Sequence, residues 1–93
     1  MIAANTYFDD SVKSLGYETA EGKSTVGVME AGSYEFGTST HETMIVIEGE
    51  LRAILPGESK PTTYGPGASF EVEAGTSFKV EAIGQTSYLC KYR

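Results

Sequence analysis

Histidine and cysteine, two of the residue types that most often carry chemistry, occur once each in this chain, as His41 and Cys90. That count excludes a Cys-based zinc site and every His-rich or Cys/His metal constellation, which need more ligands of those types. A nucleophilic thiol needs a base beside it, and His41 has no evident route to Cys90, so Cys90 reads as a buried packing residue. Only a carboxylate site remains open. The other chemistry-bearing pattern is an alternation of aromatic and hydroxyl side chains. Tyr34, Phe36 and Thr38 share one face of their segment, Phe78 shares a face with Val80 and Ala82, and Tyr88 shares one with Cys90 and Tyr92. An inward face of Tyr, Phe, Thr and Cys either lines a ligand cavity or forms an aromatic-rich core, and the pattern alone leaves both open.

The elements that position these residues are short. Eleven Gly and three Pro punctuate the 93 residues at the spacing expected of strands joined by turns. From Ser24 onward the spacing predicts strands over Ser24–Glu30, Gly32–Thr38, Thr43–Glu48, Glu50–Leu55, Thr62–Tyr64, Ala68–Val72, Ser77–Ala82 and Thr86–Tyr92. Tyr7–Val12 is the only plausible helical turn, and Tyr17–Ala20 a further edge strand. Gly65-Pro66-Gly67 reads as a turn; no phosphate-cradling Gly loop is present. The expected fold is all-β: a single domain over residues 1–93, built as a small barrel or sandwich. Exposed strand edges favour a homodimer.

Composition narrows the function. The chain carries a net charge of −6, with nine acids and two bases in residues 1–50 against four acids and five bases in residues 51–93. No basic footprint exists for nucleic acid. The longest apolar stretch, Met44–Ile47, is far short of a membrane span, and the N-terminus lacks the pattern of a signal peptide. A lone cysteine suits a reducing compartment, so a soluble cytoplasmic protein without membrane or nucleic-acid partners is expected.

The stretch Glu42-Thr-Met-Ile-Val-Ile-Glu-Gly49 resembles the first motif of the cupin superfamily, in which a Glu is followed after six residues by Gly. Gly67-Ala-Ser-Phe-Glu-Val-Glu73-Ala-Gly75-Thr-Ser-Phe78 resembles the second motif, with Phe78 where a ligand His stands. The resemblance implies a cupin-type β-barrel, the jelly-roll-like double-stranded β-helix. In the first motif, the positions of a metal-binding cupin's His-x-His pair fall approximately at Phe36 and Thr38, so of four ligand positions only Glu42 keeps a metal-competent side chain. His41 neighbours Glu42 and by alternation points the other way. A transition-metal dioxygenase or isomerase is not expected.

Over nearly the whole chain, Asn5-Thr-Tyr-Phe8, Val12-Lys-Ser-Leu-Gly-Tyr17, Ser24-Thr-Val-Gly-Val-Met29, Gly32-Ser-Tyr-Glu-Phe36, Glu42-Thr-Met44 and Thr86-Ser-Tyr-Leu-Cys-Lys-Tyr92 resemble the pyrimidine/purine nucleoside phosphorylase family of small metal-free cupins. The resemblance implies phosphorolysis of purine and pyrimidine nucleosides to free base and pentose 1-phosphate, with no cofactor and with inorganic phosphate as co-substrate. On that reading Glu42 is the catalytic residue, favouring an oxocarbenium-like sugar or accepting ribose hydroxyls. Tyr34, Phe36, Phe78 and Tyr88 stack on the base, Thr38 and Tyr88 offer hydroxyls, and Lys13, Lys91 and Arg52 are the candidates for phosphate. The alternative is a non-catalytic cupin that binds a sugar or other small molecule.

Overall fold

In a computed structural model describing residues 1–93, the chain forms ten strands and no helix. The strands are β1 (Ala3–Tyr7), β2 (Val12–Thr19), β3 (Gly22–Met29), β4 (Gly32–Gly37), β5 (Glu42–Glu48), β6 (Leu51–Ile54), β7 (Thr62–Tyr64), β8 (Ser69–Val72), β9 (Ser77–Ala82) and β10 (Thr86–Tyr92). Every pairing is antiparallel. One sheet runs β1-β2-β3-β10-β5-β8 and the other β4-β9-β6-β7. Their apolar faces meet in a single core containing Met29, Met44, Val46, Leu51, Phe70 and Val80.

From β3 onward the strands lie within two residues of the expected positions, and their alternation sorts side chains as expected. On β9, Phe78, Val80 and Ala82 are buried while Lys79 and Glu81 are exposed. The N-terminal third differs. In place of a helical turn over Tyr7–Val12 and a short edge strand at Tyr17–Ala20, β1 and β2 form a hairpin, with Val12 opposite Tyr7. Phe8, Asp9 and Asp10 at its tip take φ of 53°, 54° and 67°, a left-handed turn closed by Ser11 N donating to Phe8 O at 3.1 Å. Asp tolerates this region well; Phe seldom does. The Phe8 ring is held against Tyr34 and Phe36, with centroids 5.1 and 5.5 Å away, so the hairpin tip folds over the open end of the second sheet. These contacts offset the cost of the turn.

Two further details hold the strands in place. Between Ser87 and Tyr88 the pairing of β10 with β5 shifts by one residue, a bulge that lets β5 carry one residue more than β10 there. After β4, the Thr38 hydroxyl donates to Glu73 O at 2.7 Å and accepts from Thr76 N at 3.0 Å, tying the β4 end to the β8–β9 turn. Thr38→Val removes a buried donor and acceptor at once. It should lower unfolding free energy by about 1–3 kcal/mol, read as a lower denaturant midpoint with an unchanged slope.

Candidate functional site

The two sheets do not close completely. Between them lies a cavity of about 260 Å³, close to the lower end of ordinary ligand pockets, about 300–1,000 Å³. β5 contributes Glu42 and Met44 to its wall, and β10 contributes Tyr88, Cys90 and Tyr92. Phe36 and Phe78 enter from β4 and β9, with centroids 5.7 Å apart and planes tilted by 32°, and form a continuous aromatic wall. The hairpin adds Tyr7 from β1 and Ser14 from β2, and the β4–β5 loop adds Ser39.

Glu42 is the acid of this cavity, and it is only 9% exposed. The Cys90 thiol donates to its Oε1 at 3.4 Å. Burial pushes the Glu42 carboxyl above its ordinary range, partly offset by the Cys90 hydrogen bond and the charge of His41. Burial, reinforced by Glu42, pushes the Cys90 thiol up to about 12. Cys90 is therefore a neutral donor near pH 7 rather than a thiolate nucleophile. Burial likewise pushes the Tyr88 hydroxyl up to about 12 and raises that of Tyr92, which shares a 3.0 Å hydrogen bond with Thr25 Oγ1.

Of the residues singled out from the sequence, Glu42, Phe36, Phe78 and Tyr88 meet around this one cavity. The others do not. Tyr34 is buried in the core, and its hydroxyl donates to Glu30 O at 2.7 Å. Both bonding roles of the Thr38 hydroxyl are taken up by Glu73 and Thr76. Lys13 lies on the outer side of β2, in register with Thr6 and Val28, and Lys91 is on the outer face of β10, opposite Thr43. Arg52 pairs with Glu81 at 3.6 Å on the outer face of the second sheet. No Lys, Arg or His lines the cavity. His41 turns away as its parity requires, its Nδ1 donating to Arg93 O at 2.7 Å and its Nε2 lying 3.1 Å from Glu71 Oε1.

Tyr7, Ser14, Ser39, Met44 and Tyr92 also line the cavity. Alternation marks Tyr92 as an inward partner of Tyr88, whereas Tyr7 and Ser14 depend on the hairpin. No group of three His, Cys, Asp or Glu is close enough to hold a metal ion, and the ring positions Phe36 and Phe78 beside Glu42 offer no lone pairs. This donor set does not suit the transition metals of metal-dependent cupins.

Two facing antiparallel sheets with a carboxylate turned into the space between them define a cupin-type β-barrel. Ectoine synthase from P. lautus shares the fold, with a TM-score of 0.71 at 17% identity over 86% of this chain and 62% of that one. The chain belongs to the pyrimidine/purine nucleoside phosphorylase family, whose model matches residues 2–92. A relative from Marinobacter nauticus named pyrimidine/purine nucleoside phosphorylase is 48% identical over 92 residues, covering 99% of each chain. A crystal structure of a Vibrio parahaemolyticus protein of unknown function superposes with a TM-score of 0.96 at 43% identity, covering 100% of this chain and 99% of that one.

Gly27 sets where Tyr88 can sit. The two are cross-strand partners, and a Cβ on Gly27 would lie 2.6 Å from the Tyr88 hydroxyl oxygen and 2.9 Å from Lys13 O. Gly27→Ala should destabilise the fold by about 1–3 kcal/mol through this overlap. Gly27→Ala with Tyr88→Ala should be less destabilised than the sum of the two by more than about 0.5 kcal/mol, as measured by chemical denaturation of all four proteins.

Proposed function

We propose that this chain is a nucleoside phosphorylase of broad base specificity, converting purine and pyrimidine nucleosides and inorganic phosphate to free base and pentose 1-phosphate. The observation that carries the reading is Glu42 facing an aromatic wall inside one cavity, in a chain of this family. Phosphorolysis needs no covalent nucleophile, because a phosphate oxygen attacks the anomeric carbon as the bond to the base breaks. The protein must align the reactants and stabilise an oxocarbenium-like sugar. Glu42 suits the second of these roles, since its charge is costly in an apolar cavity and becomes favourable beside a sugar that is turning positive. Phe36 and Phe78 offer ring surface to a flat base without reading its edge, which fits acceptance of both purines and pyrimidines.

The reading includes phosphate as co-substrate and no cofactor, and a cytoplasmic location in keeping with the free, buried Cys90. No helix is long and apolar enough to cross a membrane. One observation favours a non-catalytic sugar-binding cupin instead: the cavity wall has no cation to meet an anionic co-substrate. Incubation with inosine and uridine, with and without phosphate, separates the two. Phosphate-dependent release of base supports the enzyme. Glu42→Gln should lower its turnover more than tenfold, over about 1.4 kcal/mol in barrier, with an unchanged thermal melt. Wild-type kinetics in Glu42→Gln would make Glu42 structural.

The reading also includes a homodimer. Leu15, Val26, Leu89 and Ile45 stand in one cross-strand row on the outer face of the six-stranded sheet, with Val28 and Ile47 beside it. Leu15, Val28 and Ile47 are each about half exposed, at 46%, 51% and 45%. Packing this face on its copy covers them, and a stable interface would bury more than about 1,000 Å² in total. Sedimentation at micromolar concentration should give a dimer, and Leu15→Glu with Val28→Glu a monomer; a wild-type monomer would overturn the assignment.

A further inference from the structure

The cavity has two chemically different ends. Along β5, Glu42 and Val46 are four residues, about 13 Å of strand, apart, and each heads a cross-strand row. Tyr92 lies opposite Glu42, while the Val46 row continues through Tyr88 and Gly27 to Ser14. Gly27 has no side chain, so the Tyr88 hydroxyl reaches across it toward β2, where Ser14 stands next in the row. Tyr7, from the end of β1, lines the same cavity as Ser14 and Tyr88.

Ser14 and Tyr88 are 5% and 6% exposed, yet neither hydroxyl has a hydrogen-bond partner within the protein, and neither is sealed away from the cavity. Buried hydroxyls are ordinarily satisfied. Two hydroxyls that open onto the cavity, with Tyr7 on the same wall, are donors available to an acceptor-rich ligand. We propose that Tyr7, Ser14 and Tyr88 form the phosphate-binding end of the site, holding the anion through neutral hydroxyl donors and not through lysine or arginine.

The proposal rests on the phosphorylase reading and deepens it. An oxyanion gains from a few preorganised donors, and the more so where the surrounding dielectric is low. Burial keeps the Tyr88 hydroxyl protonated far above neutral pH, so it remains a donor throughout the working range. The far end, at Glu42, is left for the sugar, which separates the two negative groups. Ser14 also explains the departure at Lys13: adjacent residues of β2 face opposite ways, and Ser14 is the one that faces in.

The test is steady-state kinetics with phosphate and inosine varied separately. Ser14→Ala and Tyr88→Phe should each raise KM for phosphate at least tenfold, leaving KM for inosine within about twofold, and Lys13→Met should change neither. Tyr88→Phe keeps the ring, so a general loss of packing is distinguished by its unchanged melt. An unchanged phosphate KM in both variants, or an effect confined to inosine, overturns the proposal. Inorganic phosphate binding, followed directly by ³¹P line broadening in wild type and Ser14→Ala, separates this from failure of the phosphorylase reading. Broadening lost in Ser14→Ala supports the site even where no base is released, and equal broadening in both overturns it.

Discussion

The register of β10 is the constraint that holds the site together. This strand pairs with β3 on one side and β5 on the other, so its inward residues, Tyr88, Cys90 and Tyr92, choose which neighbours they meet. Cys90 falls beside Thr25 and Met44, Tyr92 beside Glu42, and Tyr88 over Gly27. A slip of one residue would turn all three outward and bring Leu89 and Lys91 into the cavity. The register is fixed by what it buries: Thr86, 1% exposed, supplies its hydroxyl to Gly84 O and Glu50 O near the β5–β6 turn, and Gly49, at φ 95°, passes so close that a Cβ would sit 2.6 Å from the Thr86 oxygen.

Around that strand the interior separates into satisfied and unsatisfied polar groups. Thr38, Thr86, Tyr34 and Tyr92 have definite partners and hold turns and sheets in place. Glu42 is held by a single thiol at 3.4 Å, and Ser14 and Tyr88 have no partner within the protein. The first group contributes stability in the ordinary way; the second faces the cavity and carries the proposed ligand contacts. A carboxylate with so few partners costs the fold free energy, in keeping with the role proposed for Glu42 beside a developing positive charge.

Much of the architecture is legible in the sequence because it follows from period-2 alternation and Gly-marked turns, as in Ser77–Ala82, where the expected and observed strand coincide. Phe36, Phe78 and Tyr88 are legible for the same reason, and Glu42 through the spacing of Glu42 and Gly49 in the cupin-like motif. The hairpin is not: a left-handed tip at Phe8-Asp9-Asp10 has no glycine to announce it, and its stability comes from Tyr34 and Phe36, far along the chain. Without β2 in place, the parity that makes Ser14 inward and Lys13 outward has no anchor. Thr38 and Tyr34 share the right face, but whether a hydroxyl is free or taken depends on carbonyls, those of Glu73 and Glu30, whose position alternation does not encode. Lys13, Lys91 and Arg52 stay off the cavity wall for a chemical reason: an acid-rich barrel this small keeps its lysines and arginines outside, where water solvates them.

Whether nucleoside and phosphate meet inside this cavity is decided by a crystal structure of the protein with a non-cleavable nucleoside analogue and phosphate. The base should lie against Phe36 and Phe78, a ribose hydroxyl within hydrogen-bonding distance of Glu42, and the phosphate against Ser14 and Tyr88. A nucleoside bound on an outer face, such as that around Arg52 and Lys79, with the cavity holding only water, would contradict it.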